Sequence, residues 1–293
     1  MLVVRRIHCR PGLIFTKLST FDADTLHRFF DDKVAGVRAG TNDAPPLSFV
    51  PVRLGCNFTE FSLVTVETVV AAVRALPDKQ CASDPLSIRL FKAIVDILAP
   101  FLVDLFNRSL STGSVPTAFK EAYVTPRLKK ADLDPADTKS YRPVSNLSVL
   151  SKLLERFVAR QLLDYLIAEN LIPDLQSAYR AFHFTETAVL KVMSDILRAL
   201  DNGDIALLKL LDLSAAFDTV DHVILLKLLE ISYGLNGHTL SWFESYLTGW
   251  KQCVHCRNSR SSSTMILCGV PHGSVFRPTD RSYFFTTPRT CSG

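Results

Sequence analysis

Asp212 follows a short apolar run, Ile205 to Leu211, that opens after the turn signal Asn202-Gly203. A run of that length bounded by such a turn reads as a strand buried on both faces, with only Lys209 out of place. A carboxylate at the carboxyl end of a buried strand is where an α/β protein holds a divalent cation, and the small residues Ser214, Ala215 and Ala216 leave room for a substrate before Phe217. Further along, Cys268-Gly-Val-Pro-His-Gly-Ser-Val275 flanks Pro271 with Gly269 and Gly273, which implies a backbone that comes close to a ligand. Basic side chains gather upstream, where Arg127, Lys129 and Lys130 end a β-prone run and Arg142 is held extended by Pro143. Lysine and arginine in such places are what phosphate oxygens require.

The two stretches around Asp212 and Gly273, in this order and spacing, resemble motifs A and B of the reverse transcriptases of LINE-type (non-LTR) retrotransposons. The resemblance covers roughly residues 21 to 276. It implies RNA-directed DNA polymerase chemistry on a right-hand scaffold of fingers and partial palm. By that resemblance Asp212 is catalytic and, with the Leu213 carbonyl, a ligand of Mg²⁺. Lys129 or Lys130, with Arg142, holds the triphosphate of an incoming deoxynucleotide, Phe217 excludes a ribose 2′-hydroxyl or else packs as a core aromatic behind Asp212, and His272 and Gly273 line the nucleotide pocket. Gln176 and Arg180 contact the template. Phe184 departs from the family pattern, which places a small hydroxyl residue there. The implied partners are an RNA template, a DNA primer and deoxynucleoside triphosphates.

Two-metal nucleotidyl transfer needs several carboxylates. In the family the others form an adjacent Asp-Asp pair, called motif C, after motif B. Beyond Ser274 this chain has only Asp280. Residues 276 to 293 read as a frameshifted tail, and the 293-residue polypeptide is expected to be inactive alone. The alternative is a non-catalytic nucleic-acid-binding or interaction protein built from the same fingers.

The elements that must position these residues read as a mixed α/β (α+β), mostly helical chain. We divide it into an N-terminal segment and linker at 1–50, a helical extension at 51–120, fingers at 121–200, a partial palm at 201–275 and the tail. An amphipathic helix is expected over 21–40 and another behind a Thr65 cap. Asp84-Pro85 reads as a third helix start, with Pro100 interrupting and Gly113 ending that stretch. A fingers hairpin over 122–145 precedes a long helix from Ser148 and another opening at Thr185. After the central strand, Asp218 or Thr219 caps a helix covering the sheet, one more spans 239–247, and 252–268 forms a hairpin.

Length and composition bound the rest. At 293 residues and 47% hydrophobic, the chain can bury a large core, and a net charge of +4 permits a polyanion partner without requiring one. Seven irregularly spaced cysteines argue for a reducing compartment, and no long uncharged run suggests a membrane span, so the expectation is an intracellular, soluble protein. Cys253, Cys256, Cys268 and His272 have a spacing that zinc could use, but a place on a hairpin favours core cysteines.

Overall fold

The computed structural model describes residues 21–41, 45, 47–78, 84, 86–178, 180, 182–211, 217–256, 259–271 and 273–276. Among these the chain is mixed α/β, with eight α-helices and one small mixed sheet. No helix of the described residues is long and apolar enough to cross a membrane.

Helix α1 (Ala23–Ala39) starts where the Asp22 carboxylate accepts the Thr25 amide, and it buries Leu26 and Phe30 as the spacing requires. Helix α2 (Val66–Arg74) is capped by Thr65 and buries Val69 and Val73. The next start differs from expectation. Helix α3 (Ile88–Ala93) is capped by Ser87, because the Asp84 carboxylate is spent elsewhere, accepting the Val149 amide at 3.0 Å. The chain breaks at Ile94, not at Pro100, and helix α4 (Val95–Thr112) runs through the proline. Starting at Val95 puts Pro100 in the second turn with both it and Asp96 exposed, so water can take the Asp96 carbonyl that the missing N–H leaves. Gly113 ends the helix in the left-handed conformation.

Strands β1 (Glu121–Leu128) and β2 (Tyr141–Asn146) form the expected antiparallel hairpin. Ser148 then caps α5 (Val149–Ala168), whose inward stripe buries Leu153, Leu154, Phe157, Val158 and Leu162, while Ile167 lies outward at 59% exposure. Helix α6 (Thr185–Asp201) has no buried residue. At its start Thr187 supplies what Phe184 cannot, its hydroxyl accepting the Phe184 amide at 3.0 Å. Helix α7 (His222–Tyr233) is capped by Asp221, not Asp218 or Thr219, through amides of Val223 and Ile224 at 2.9 and 3.1 Å. It packs on α8 (Gly237–Leu247) rather than on the sheet. Strand β3 (Lys251–Cys256) pairs in parallel with β1 and antiparallel with the short strands β4 (Ser259–Arg260) and β5 (Thr264–Met265). The hairpin expected over 252–268 is thus part of the same sheet as β1 and β2, in the order β2-β1-β3-β4.

Two cores result. The larger joins α2, α4, α5, α7 and α8 around Phe106, Phe157, Trp242, Phe243, Tyr246 and Trp250. Phe276 belongs to it, fully buried against Trp242, Phe243 and Tyr246, so this core reaches into the expected tail. The smaller lies between α1 and one face of the sheet, from Leu26, Phe30, Val124, Tyr141 and Val254.

The central buried strand expected over 205–211 is not formed. These residues pair with no described strand, and Ile205, Leu207 and Leu210 are 97%, 92% and 83% exposed. An apolar run becomes a central strand only when two neighbours offer ladder edges and both faces are covered, and the described strands make their sheet around β1 and β3 instead. Exposed apolar runs associate. The double variant Leu207→Lys/Leu210→Lys is expected to shift the protein toward monomer in light scattering, with its thermal midpoint unchanged. A lowered midpoint would show that these side chains are buried in the folded protein.

Candidate nucleotide and nucleic-acid site

Asp212, Leu213 and His272 lie outside the described residues, so the site is built from what surrounds them. Its frame is a backbone knot between 217–222 and 268–270. The Val270 amide donates to the Phe217 carbonyl at 3.1 Å, the Gly269 amide to the Val220 carbonyl at 2.7 Å, and the Cys268 thiol to the Asp218 carbonyl at 3.3 Å. His222 Nε2 meets the Gly269 carbonyl at 2.8 Å. Phe217 is half-buried at the edge of this knot.

The two glycines serve the knot directly. At Gly269, with φ of 75°, a Cβ would stand 2.6 Å from the carbonyl oxygens of Phe217 and Asp218. At Gly273, with φ of 97°, it would stand 2.5 Å from the Ser145 carbonyl on β2. Sequence reasoning assigned this freedom to the approach of a ligand. The structure shows the chain's own backbone making the approach, because three segments converge where no side chain fits. The segments of motifs A and B and the strand carrying Arg142 therefore meet at one place.

The hairpin beside it is basic on one face. Arg127 stands directly opposite Arg142 in the β1–β2 register, and both are exposed. Like charges facing across a ladder repel, so this pair is suited to an anion lying between the guanidiniums. Sequence reading favoured Lys129 and Lys130 over Arg127. Both lysines follow the strand, and the Lys129 ammonium donates to the Lys139 carbonyl at 2.7 Å. The sequence held no signal for this pair, because the cross-strand register sets it. On the same face the Arg260 guanidinium lies 5.5 Å from the centroid of the Tyr123 ring, and the Tyr123 and His255 rings meet edge-on at 5.1 Å. Arg180 and Gln176 turn back on their own loop, Arg180 donating to the Pro173 and Asp174 carbonyls and Gln176 to that of Ala178.

Behind the sheet a cavity of about 490 Å³ separates α1 from the knot, lined by His27, Arg38, Ser145, Asp218, Gln252 and Pro271. Arg38 bridges it to Asp221 at 3.1 Å. Burial pushes the Asp221 carboxyl up, but the Ile224 amide, the Arg38 guanidinium and the Val223 amide outweigh it and leave the group below the usual carboxylate range. Cys253 and Cys256 point to opposite sides of β3, and only Cys256 joins the core under α1. Among the described residues no three histidine, cysteine or acidic side chains stand close enough to hold a metal.

Residues 128–285, just over half of the chain, match the family described as reverse transcriptase (RNA-dependent DNA polymerase). The chain belongs to the reverse transcriptase family. It is 33% identical over 224 residues to the RNA-directed DNA polymerase from mobile element jockey of Drosophila melanogaster, covering 76% of this chain and 24% of that protein. The jockey protein of Drosophila funebris is 34% identical over 222 residues, or 75% of this chain and 24% of its own. A probable RNA-directed DNA polymerase from transposon X-element of Drosophila melanogaster is 28% identical over 272 residues, or 92% of this chain and 29% of its own. These relatives are non-LTR retrotransposon proteins, as the motifs imply, and the chain spans about a quarter of their length.

The chain also carries a buried acid that sequence reading passed over. Glu155 sits on the inward stripe of α5 at 1% exposure, and burial raises its carboxyl from 4.5 to about 7 against hydrogen bonds from the Val275 amide and Ser151. The signal was an acid in register with Ser151, Val158 and Leu162 on an otherwise apolar face.

Two outcomes follow from this geometry. Gly269→Ala and Gly273→Ala should each cost about 2–4 kcal/mol in urea denaturation, from positive φ plus overlap with a carbonyl. Gly203→Ala, with φ of 83° but nothing within 4 Å, should cost about 1–2 kcal/mol. Equal losses at all three would remove the close approach as the reason for the two loop glycines. Second, folded Glu155 holds its proton more tightly than the unfolded chain does between pH 4.5 and about 7. Stability from this group is therefore complete below pH 4.5 and is lost as pH rises through 7, by about 3 kcal/mol in all. Glu155→Gln should be free of that decline, so urea midpoints at pH 5 and 8 that move in parallel for both proteins would contradict it.

Proposed function

We propose that this chain forms the fingers and the first part of the palm of an RNA-directed DNA polymerase. The observation that carries the reading is the convergence at Gly269 and Gly273, which joins the segment after Asp212 and the pocket loop to the strand bearing Arg142. In this reading Arg142 and Arg127 bind the triphosphate of the incoming deoxynucleotide, with Lys129 and Lys130 near the mouth. Phe217 faces its sugar, and His272 and Gly273 line the base side. Gln176 and Arg180 guide an RNA template, and the primer is DNA. Asp212 and the Leu213 carbonyl would hold Mg²⁺, which when bound supplies charge neutralisation at the reacting phosphate. The fingers residues themselves contribute orientation and charge-assisted hydrogen bonds to phosphate oxygens, which is most of what phosphoryl transfer asks of a protein.

Binding of a fluorescent deoxynucleoside triphosphate tests this directly. Arg142→Ala and Arg127→Ala should each weaken it about tenfold, the loss of one charge-assisted pair. Primer extension by the 293-residue chain is expected to be undetectable, since its residues beyond Asp212 contain no adjacent aspartate pair. Affinity unchanged in both arginine variants would remove the fingers hairpin from the site, and robust extension that survives Asp212→Ala would remove Asp212.

A further inference from the structure

The loop carrying Gly273 is tied down by a carboxyl group that neither phosphate binding nor metal chemistry uses. Glu155 Oε2 accepts the Val275 amide at 2.6 Å and Oε1 accepts the Ser151 hydroxyl at 3.0 Å. Ser274, itself 1% exposed, shares a 2.7 Å hydrogen bond with the buried Tyr246 hydroxyl and accepts the Phe276 amide at 3.0 Å. Tyr246 cannot yield, because its ring stacks on Trp242 with centroids 5.3 Å apart and its carbonyl accepts the Trp250 indole N–H. Gly273, next to Ser274, faces the Ser145 carbonyl where no Cβ fits. One carboxyl from the fingers helix thus sets the height of the loop over β2.

An acid buried this completely is a poor choice for stability alone, since an apolar residue would fill the space without desolvating a charge. Its useful property is direction, because it takes the Val275 amide at a defined point above α5. We propose that Glu155 is a positioning residue of the nucleotide site, holding the 273–276 segment so that Gly273 stays seated on Ser145 beside Arg142. The proposal rests on the polymerase reading above.

The groups that face Glu155 are Ser151 and Lys152 from α5, Tyr246 from α8, and Ser274 and Val275 from the loop. Of these, Lys152 favours the carboxylate and desolvation opposes it more strongly. Opening the loop would let water reach the carboxylate, so the closed loop is favoured by the neutral acid and loosens as pH rises through 7. Glutamine, neutral at every pH and still able to accept the Val275 amide, should keep the loop closed.

The test is hydrogen exchange at the Val275 and Phe276 amides of the 293-residue chain, expressed as protection over the intrinsic rate at pH 6 and 8. Triphosphate affinity is measured alongside. Wild type should lose protection between the two pH values, Glu155→Gln should keep it, and Glu155→Ala should lose about tenfold or more at both, with exchange in α8 unchanged. Where Glu155→Ala does not fold, Tyr246→Phe, which removes the hydroxyl that partners Ser274 and faces Glu155, should raise exchange at Phe276 several-fold. Triphosphate affinity should fall with protection across the series. Protection that is the same in all the proteins that fold overturns the latch. Protection lost without any loss of triphosphate affinity, while Arg142→Ala still weakens binding, overturns the positioning role and leaves the polymerase reading standing. A wild type that binds no triphosphate, yet shows the exchange pattern, overturns that reading and reduces Glu155 to a structural acid.

Discussion

Two points where backbone touches backbone hold the described fold together. The carbonyls of Phe217 and Asp218 occupy the space of a side chain at Gly269, and the carbonyl of Ser145 occupies it at Gly273. Each contact permits only hydrogen at the α-carbon, and each joins segments far apart in sequence. Residues 217–221 lie outside helix, and α7 begins only after the Asp221 cap. The 268–276 segment is held from both ends, by the knot at Gly269 and by the aromatic core around Phe276.

Charge is arranged around this frame by exposure. The guanidinium groups of Arg127 and Arg142 face outward on the hairpin, where an exposed cation keeps its hydration. The acid that organises the loop, Glu155, is sealed inside, where its hydrogen bonds are strong and its ionisation is disfavoured. Arg38 and Asp221 lie between these extremes, half-exposed, and fasten α1 to the start of α7 across the cavity. A chain whose net charge is only +4 can thus present a locally basic surface.

Several helix starts and stops with a local cause were legible in the sequence. Thr65 and Ser148 cap the helices they precede, Gly113 stops α4, and the apolar stripe of α5 is buried almost to its end. Each is decided within one turn by a side chain and a nearby amide. Asp84 failed as a helix start because the amide it reached belongs to α5, 65 residues away. Residues 205–211 failed as a strand for the same kind of reason, since apolar character says that a segment seeks cover without saying whether strands are there to provide it.

The order and spacing of residues carried the family, the two motif stretches, the hairpin and the residue types available for phosphate. Tertiary structure alone decided that Arg127 faces Arg142, since a ladder register depends on which strands meet and where the turn between them closes. It alone decided that the motif glycines admit the chain's own carbonyls, because a positive φ is written in the residue but its neighbour is not. It also gave Glu155 its place, for an acid on an apolar stripe acquires a raised proton affinity and a defined partner only when Val275 and Tyr246, distant in sequence, close over it.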